Sequence, residues 1–266
     1  GVQIIPVGHG ELASGLVGDG RMAEPEAIVD FLEASLLRST ALQGKQVLIT
    51  AGPTFEALDP VRFIGNHSTG KMGIALAEAL ARLGATIRLV LGPTALEPSH
   101  PGIEIIRVQS AQEMFEACSR IFPETDIAVL AAAVADYRPK TVAHEKIKKQ
   151  DQEFQLELTK TVDIAASLGR EKRPGQVLVG FALETQNEQS NARLKMEKKN
   201  FDFIVLNSLR DTGAGFGHDT NKITILRRDG SQTDFDLKSK TAVAEDIAVE
   251  IVNLANPRAK KSVSAE

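Results

Sequence analysis

The sequence predicts an α/β protein: three layers, α/β/α, around a mostly parallel, Rossmann-like sheet with a small hairpin extension. Three observations predict it. From Gln46 onward, short apolar runs alternate with amphipathic segments, the pattern of a parallel sheet covered by helices. "QVLITAG" and "DIAVLAAAVADY" carry almost no polar residues, as strands buried on both faces do. "NKITILRRDGSQTDFDL" breaks at Asp229-Gly230 between two alternating runs, the signature of a hairpin.

The elements follow in order. Residues 1–38 read as a separate piece: "GHGELASGLVGDGRMAEP" as glycine-rich loop, then "EPEAIVDFLEASLL" as a helix with Ile28, Phe31, Leu32 and Leu36 on one face. Residues 39–45 read as a linker. The main domain spans 46–255. Its first strand, "QVLITAG", ends in glycine. A helix is expected over 71–83, where Met72, Leu76, Ala79, Leu80 and Leu83 share a face and Gly84 stops it. Strands follow at "ATIRLVLG" and "IEIIRV", then a helix near 110–121 and the strand "DIAVLAAAVADY". Beyond a polar segment come the strand "VLVGFALE", a helix near 187–200, the strand "DFIVLN", the hairpin, and a helix over about 240–255. The tail 256–266 reads as disordered. A sheet of this kind binds ligands beyond the carboxyl ends of its strands, which directs attention to the loops after Ile49, Leu91, Val134 and Phe181.

Composition narrows the function. The 266 residues carry a net charge of −4, with 42% hydrophobic and 25% charged residues, as in ordinary globular proteins. The charge argues against a nucleic-acid partner. A single cysteine, Cys118, suits a reducing cytoplasm. No apolar run approaches the ~20 residues of a membrane span. The start at Gly1, without methionine, reads as a fragment of a longer protein.

Two stretches carry chemistry. "FIGNHSTGKMG" (63–73) mimics the phosphate loop G-x-x-x-x-G-K-[ST], but Met72 replaces the hydroxyl and the preceding strand ends some fifteen residues earlier. Ser68, Thr69, Gly70 and Gly73 instead lead into a helix. They serve either as a plain helix cap or as an anion site on free N–H groups. In "AAAVADYRPKTVAHEKIKK", Ala131, Ala132 and Ala133 leave room for a planar ring against the backbone. Asp136 is placed to accept from ribose hydroxyls or to hold a metal. Lys146 and Lys148 share a face of an extended segment and suit a polyphosphate, or simply solvent. Lys195 and Lys199 share a helix face. No catalytic triad, zinc motif or G-x-G-x-x-G fingerprint is present.

Taken together, "VLITAGPT…LDPVRFIGNHSTGKMG", "AAAVADYRP", "EKIKK", "VGFALET" and the lysine-bearing helix resemble phosphopantothenoylcysteine synthetase, the CoaB half of the bacterial bifunctional coenzyme A protein, over about 44–253. The N-terminal piece resembles the end of the preceding flavin-dependent decarboxylase half. The resemblance implies a cytoplasmic, homodimeric ligase that joins 4′-phosphopantothenate to L-cysteine through an acyl-cytidylate, using CTP and Mg²⁺. The metal would be bound mainly through the CTP phosphates, with no protein ligand. It implies that Asn66, Arg62 and Ala133 act in the second half-reaction and that Lys146 acts in forming the cytidylate. Ala131, Ala132, Asp136, Lys146, Val162, Asp163, Ile164, Ala165, Phe181, Lys195 and Lys199 fall at CTP-binding positions. FMN would belong only to the missing decarboxylase half, and no decarboxylase activity is expected. Ala13-Ser14-Gly15 stands where that half commonly has Ala-Cys-Gly, and Thr161-Val162 where the synthetase commonly has Asn-Pro. From the alternating sheet alone, an NAD(P)-dependent oxidoreductase and a non-catalytic nucleotide-binding module are the alternatives.

Overall fold

The structure is a computed structural model that describes residues 4–5, 7–11, 14–36, 40–149, 154–184, 186–208 and 217–256. Ala13 and residues 257–266, read above as part of a motif and as a disordered tail, lie outside the described residues. The main body is an eight-stranded sheet. In chain order its strands are β1 (Gln46–Ala51), β2 (Thr86–Leu91), β3 (Ile103–Arg107), β4 (Ile127–Leu130), β5 (Val177–Glu184), β6 (Phe203–Ser208), β7 (Ile223–Arg227) and β8 (Gln232–Asp234). The spatial order is β8-β7-β6-β5-β4-β1-β2-β3. The six strands from β3 to β6 are parallel, and β7 and β8 add an antiparallel edge. This is the doubly wound order 3-2-1-4-5-6, whose winding reverses between β1 and β4. The mostly parallel three-layer fold expected from the sequence is the fold observed.

Helices follow from the residues they bury. After α1 (Pro25–Leu36) come α2 (Lys71–Arg82), α3 (Ala111–Ile121), α4 (Ile164–Glu171), α5 (Glu188–Lys198) and α6 (Lys240–Ala255). Alternate residues of β1 point to opposite faces. Val47, Ile49 and Ala51 pack with Leu76 and Leu80 of α2 and with Val243 and Ile247 of α6. Leu48 packs on the other side with Met114 of α3, Leu168 of α4 and Met196 of α5. The expected stop at Gly84 is observed, at φ 90.

Four expectations need correction. The N-terminal "loop" is an antiparallel hairpin, Gly8–Glu11 against Val17–Arg21. The stretch read as a linker is partly core. Leu42 is fully buried, its N–H bonds Leu83 O at 2.9 Å, and Asn256 Nδ2 donates to Ala41 O at 2.6 Å. The run "DIAVLAAAVADY" is not one strand, for β4 ends at Leu130. Beyond it Ala131 N–H still reaches Thr50 O, Ala132 N–H reaches Thr50 Oγ1, and Ala133 N–H reaches Gly52 O. Backbone pairing therefore continues to the end of β1 while the chain turns out to form a wall. Lastly, neither Ser68 nor Thr69 caps α2. Its N-cap is Gly70, at φ 81, with no side-chain cap.

Among the described residues, no helix is long and apolar enough to cross a membrane.

Candidate functional site

Two cavities lie where the winding reverses, at the carboxyl ends of β1, β4 and β5. The first is about 420 Å³ and the second about 300 Å³. They share Ala132, Val134, Asp136, Phe181 and Lys195. The alanines expected to leave room for a ring do form a wall, because small side chains let the chain turn out beside Phe181 without closing the space.

The first cavity gathers the residues expected to bind a ligand on the α4–α5 side: Val162, Asp163, Ile164, Ala165, Lys195 and Lys199. Asp163 is the N-cap of α4 and accepts from Ala166 N–H at 2.9 Å and from Lys199 Nζ at 3.0 Å. Burial pushes its carboxyl up, but the Ala166 N–H and the Lys199 ammonium outweigh that and hold it below the ordinary range. Burial, and then Lys199 nearby, push the Lys195 ammonium below the usual lysine value against the pull of Glu184, Asp136 and Asp163. The Thr161-Val162 departure sits in this wall. Thr161 is tied to the loop after β4 through N–H to Asp136 O at 3.0 Å and Oγ1 to Ala135 O at 2.6 Å.

The second cavity holds Asn66, Ser68, Thr69, Gly70, Gly73 and Ala131, with Ala133 beside them. The uncapped start of α2 leaves first-turn N–H groups without a side-chain acceptor, which favours an anion there. Gly73 has a packing reason as well: a Cβ there would meet Ala51 Cβ at 2.5 Å. The Asn66 amide donates to Ala133 O at 3.0 Å and Val134 O at 3.2 Å, so its N–H groups already hold the alanine wall. Arg62 and Lys146 line neither cavity.

Sequence reasoning missed several lining residues. Lys71 pairs with Asp219, and the largely buried Lys240 donates to His218 O. Burial, and then Lys71, lower the Lys240 pKa. Asn221, 1% exposed, donates to Asn207 Oδ1 at 3.2 Å, yet its own Oδ1 has no hydrogen-bond partner among the described residues. That acceptor is itself closed off from solvent. No sequence motif marks these residues, because the return of α6 and of residues 217–221 to the α2 start is a tertiary event. Lys160, Thr161 and Tyr137 were likewise missed in the first cavity. Among the described residues there is no cluster of His, Cys, Asp or Glu able to hold a metal.

Fold and site thus define an α/β domain with a lysine-bearing cleft at the strand switch point. The chain belongs to the family described as the DNA/pantothenate metabolism flavoprotein C-terminal domain, whose model matches residues 42–254. It is 54% identical to a cysteine/cysteine sulfinic acid decarboxylase of an unknown prokaryotic organism, over 96% of this chain and 72% of that protein. It is 48% identical to the coenzyme A biosynthesis bifunctional protein CoaBC of Bacillus subtilis (strain 168), over 98% of this chain but only 65% of that protein's length. The solved C-terminal domain of a CoaBC protein superposes with a TM-score of 0.71 at 43% identity, covering 82% of this chain and all of that one. The DNA/pantothenate metabolism flavoprotein from Streptococcus pneumoniae gives 0.68 at 25% identity, covering 78% of this chain and 98% of that one.

These findings correct the reading drawn from the resemblance. None of these descriptions names a ligase or a nucleotide; they name a flavoprotein and a decarboxylase. The assignment to phosphopantothenoylcysteine synthetase is withdrawn. With it go CTP-dependent ligation, CTP and Mg²⁺ as cofactors, the confinement of FMN to a missing half, and the expected lack of decarboxylase activity. The physical reason is that lysines and a helix start at a strand switch point recognise phosphate whatever it is attached to. The motifs do not specify a reaction.

Flavin mononucleotide can be tested against the residues present. It joins a flat ring system to one phosphate. Phe181 and the alanine wall offer an apolar flank for a ring, and Lys195 and Lys199 offer cations for a phosphate. In kind the site fits both ends of such a group.

Proposed function

We propose that this chain is the ligand-binding, catalytic part of a coenzyme A biosynthesis enzyme acting on a small, phosphorylated, carboxylate-bearing substrate. A phosphorylated ring-bearing ligand lies in the first cavity, its ring against Phe181 and Ala132 and its phosphate toward Lys195 and Lys199. An anionic substrate group lies at the start of α2, between Gly70, Lys71 and Lys240. The observation that carries this reading is that the two cavities meet at the strand switch point and share Lys195. The names of the relatives support the pathway.

In this reading Lys195 neutralises charge on both ligands. Asn66 fixes the alanine wall through its two hydrogen bonds. Where flavin mononucleotide is the bound ligand, its ring supplies redox chemistry. The chain's own residues bind, orient and neutralise. The proposal places the functional domain at 46–255, with the buried Leu42 ahead of it packed into its core. It also has the chain pair with a second copy in a reducing cytoplasm, which light scattering would read as twice the mass of one chain.

Calorimetric titration with flavin mononucleotide, and in parallel with nucleotides lacking a flavin, tests the first cavity. Carbon dioxide release from a phosphorylated cysteine-bearing acid tests the reaction suggested by the decarboxylase relative. One phosphorylated ring ligand should bind. Lys195→Ala should weaken it about tenfold, on the order of the ~1.5 kcal/mol of a charge-assisted hydrogen bond. Equal affinity in that variant, or no binding by any of these ligands, would remove the proposal.

A further inference from the structure

The residues that line neither cavity form a device of their own. Asp59 lies two residues past the strand Phe55–Ala57 and its side chain is fully buried. Its Oδ1 accepts from Val61 N–H at 2.8 Å and Arg62 N–H at 2.9 Å. Its Oδ2 accepts from Arg62 Nε at 3.0 Å, from Arg62 Nη2, and from Ile147 N–H at 3.1 Å. Arg62 Nη2 also donates to Ile147 O at 2.8 Å. Ile147 is thus gripped through both its N–H and its C=O by residues more than eighty positions away in sequence. A second strut, Ala143 N–H to Leu58 O at 3.1 Å, anchors the same segment four residues earlier.

The two segments so joined flank the site. One runs from Asp59 through the strand Phe63–Gly65 to Asn66, which holds the alanine wall. The other leaves the cavity lining at Asp136 and Tyr137 and carries Lys146 and Lys148 on either side of the gripped Ile147. These lysines are exposed. Residues 140–149 form no strand or helix; Lys140 N–H to Glu157 O at 2.9 Å ties their start, and the Ala143 strut and the grip on Ile147 hold the part that leads to the lysines. A buried carboxylate that takes several donors of one loop turn and one donor of a distant loop is a cross-link between them.

We propose that Asp59 is a positioning residue. Through Arg62 and Ile147 it locks the segment bearing Lys146 and Lys148 to the loop bearing Asn66, and so sets where those lysines stand for an anionic ligand. The role of the lysines rests on the ligand-binding reading above; the lock itself does not. Arg62 then serves as the far arm of the lock, which explains why a residue picked out in the sequence lies outside both cavities.

The test is timed trypsin digestion of the full chain, with cleavage after Lys146, Lys148 and Lys149 read by mass spectrometry. It is paired with titration of inorganic pyrophosphate. Asp59→Asn turns one acceptor oxygen into a donor facing donors. It should raise cleavage at these lysines about tenfold, through local opening, with other sites unchanged. Pyrophosphate should bind several-fold more weakly. Arg62→Gln, at an exposed guanidinium, should give a smaller rise at the same lysines. If Asp59→Asn raises cleavage at every site together, Arg62→Gln decides: a selective rise supports the lock and an unchanged pattern overturns it. Unchanged cleavage in both variants overturns it outright. Selective cleavage with unaltered pyrophosphate affinity keeps the lock but overturns the positioning role, placing the failure in the ligand reading.

Discussion

At the residue scale, Lys195 shows how one side chain comes to serve two cavities. It sits on α5 one turn before Lys199, and both ammonium groups face the first cavity. Burial and Lys199 disfavour its charge, so its folded pKa lies below that of an ordinary lysine. The sign follows. Between the folded and the unfolded value the unfolded chain binds more protons, so this group makes stability rise with pH across that window. Anion binding runs the other way: it is complete below the folded pKa and lost as pH rises through it. Ligand affinity should therefore decline at a lower pH than a free lysine would dictate, and Lys195→Arg should hold affinity further into the alkaline range. Calorimetric titrations from neutral to alkaline pH check this, and identical profiles for the two proteins would refute it.

At the element scale, close approaches between backbones decide where the lysines stand. Gly169 on α4 faces the end of α5, and a Cβ there would lie 2.1 Å from Lys199 O. The backbone that would have to yield is the one carrying Lys199. Gly169→Ala should cost about 1–3 kcal/mol of stability, the usual penalty for overpacking, and should also weaken the ligand that Lys199 contacts. Denaturant melts and ligand titrations on the same sample read both effects. Loss of stability with ligand affinity intact would show that α4 does not set the position of Lys199. The same logic explains Gly73, which reads as part of a phosphate loop in sequence but whose lack of a side chain lets α2 lie against Ala51.

On the scale of the whole molecule, the buried clusters of the described residues begin at Leu42 and include no residue of the N-terminal hairpin. Removing residues 1–39 should leave the unfolding free energy within about 1 kcal/mol, because among the described residues no member of the buried clusters is deleted. Leu42→Ala in the shortened chain should cost about 2–5 kcal/mol. Chemical denaturation measures both. A large loss on truncation would mean that the N-terminal piece supports the main domain after all.

Within the sequence alone, the periodicity of apolar residues determined the layers, since a strand buried on both faces and a helix buried on one cannot be written otherwise. It also placed part of the cavity lining, because alanines, a glycine helix start and lysines one turn apart are local signals. Tertiary structure decided the rest. The end of β4 at Leu130 depends on bonds to β1, eighty residues earlier. Lys240 and Asn221 reach the site only because α6 returns against α2. That Arg62 and Lys146 line neither cavity, with Arg62 and Ile147 both bonded to Asp59, is likewise a tertiary result. Which reaction follows was not legible in the motifs, for a phosphate is recognised by charge and free N–H groups before anything attached to it is read.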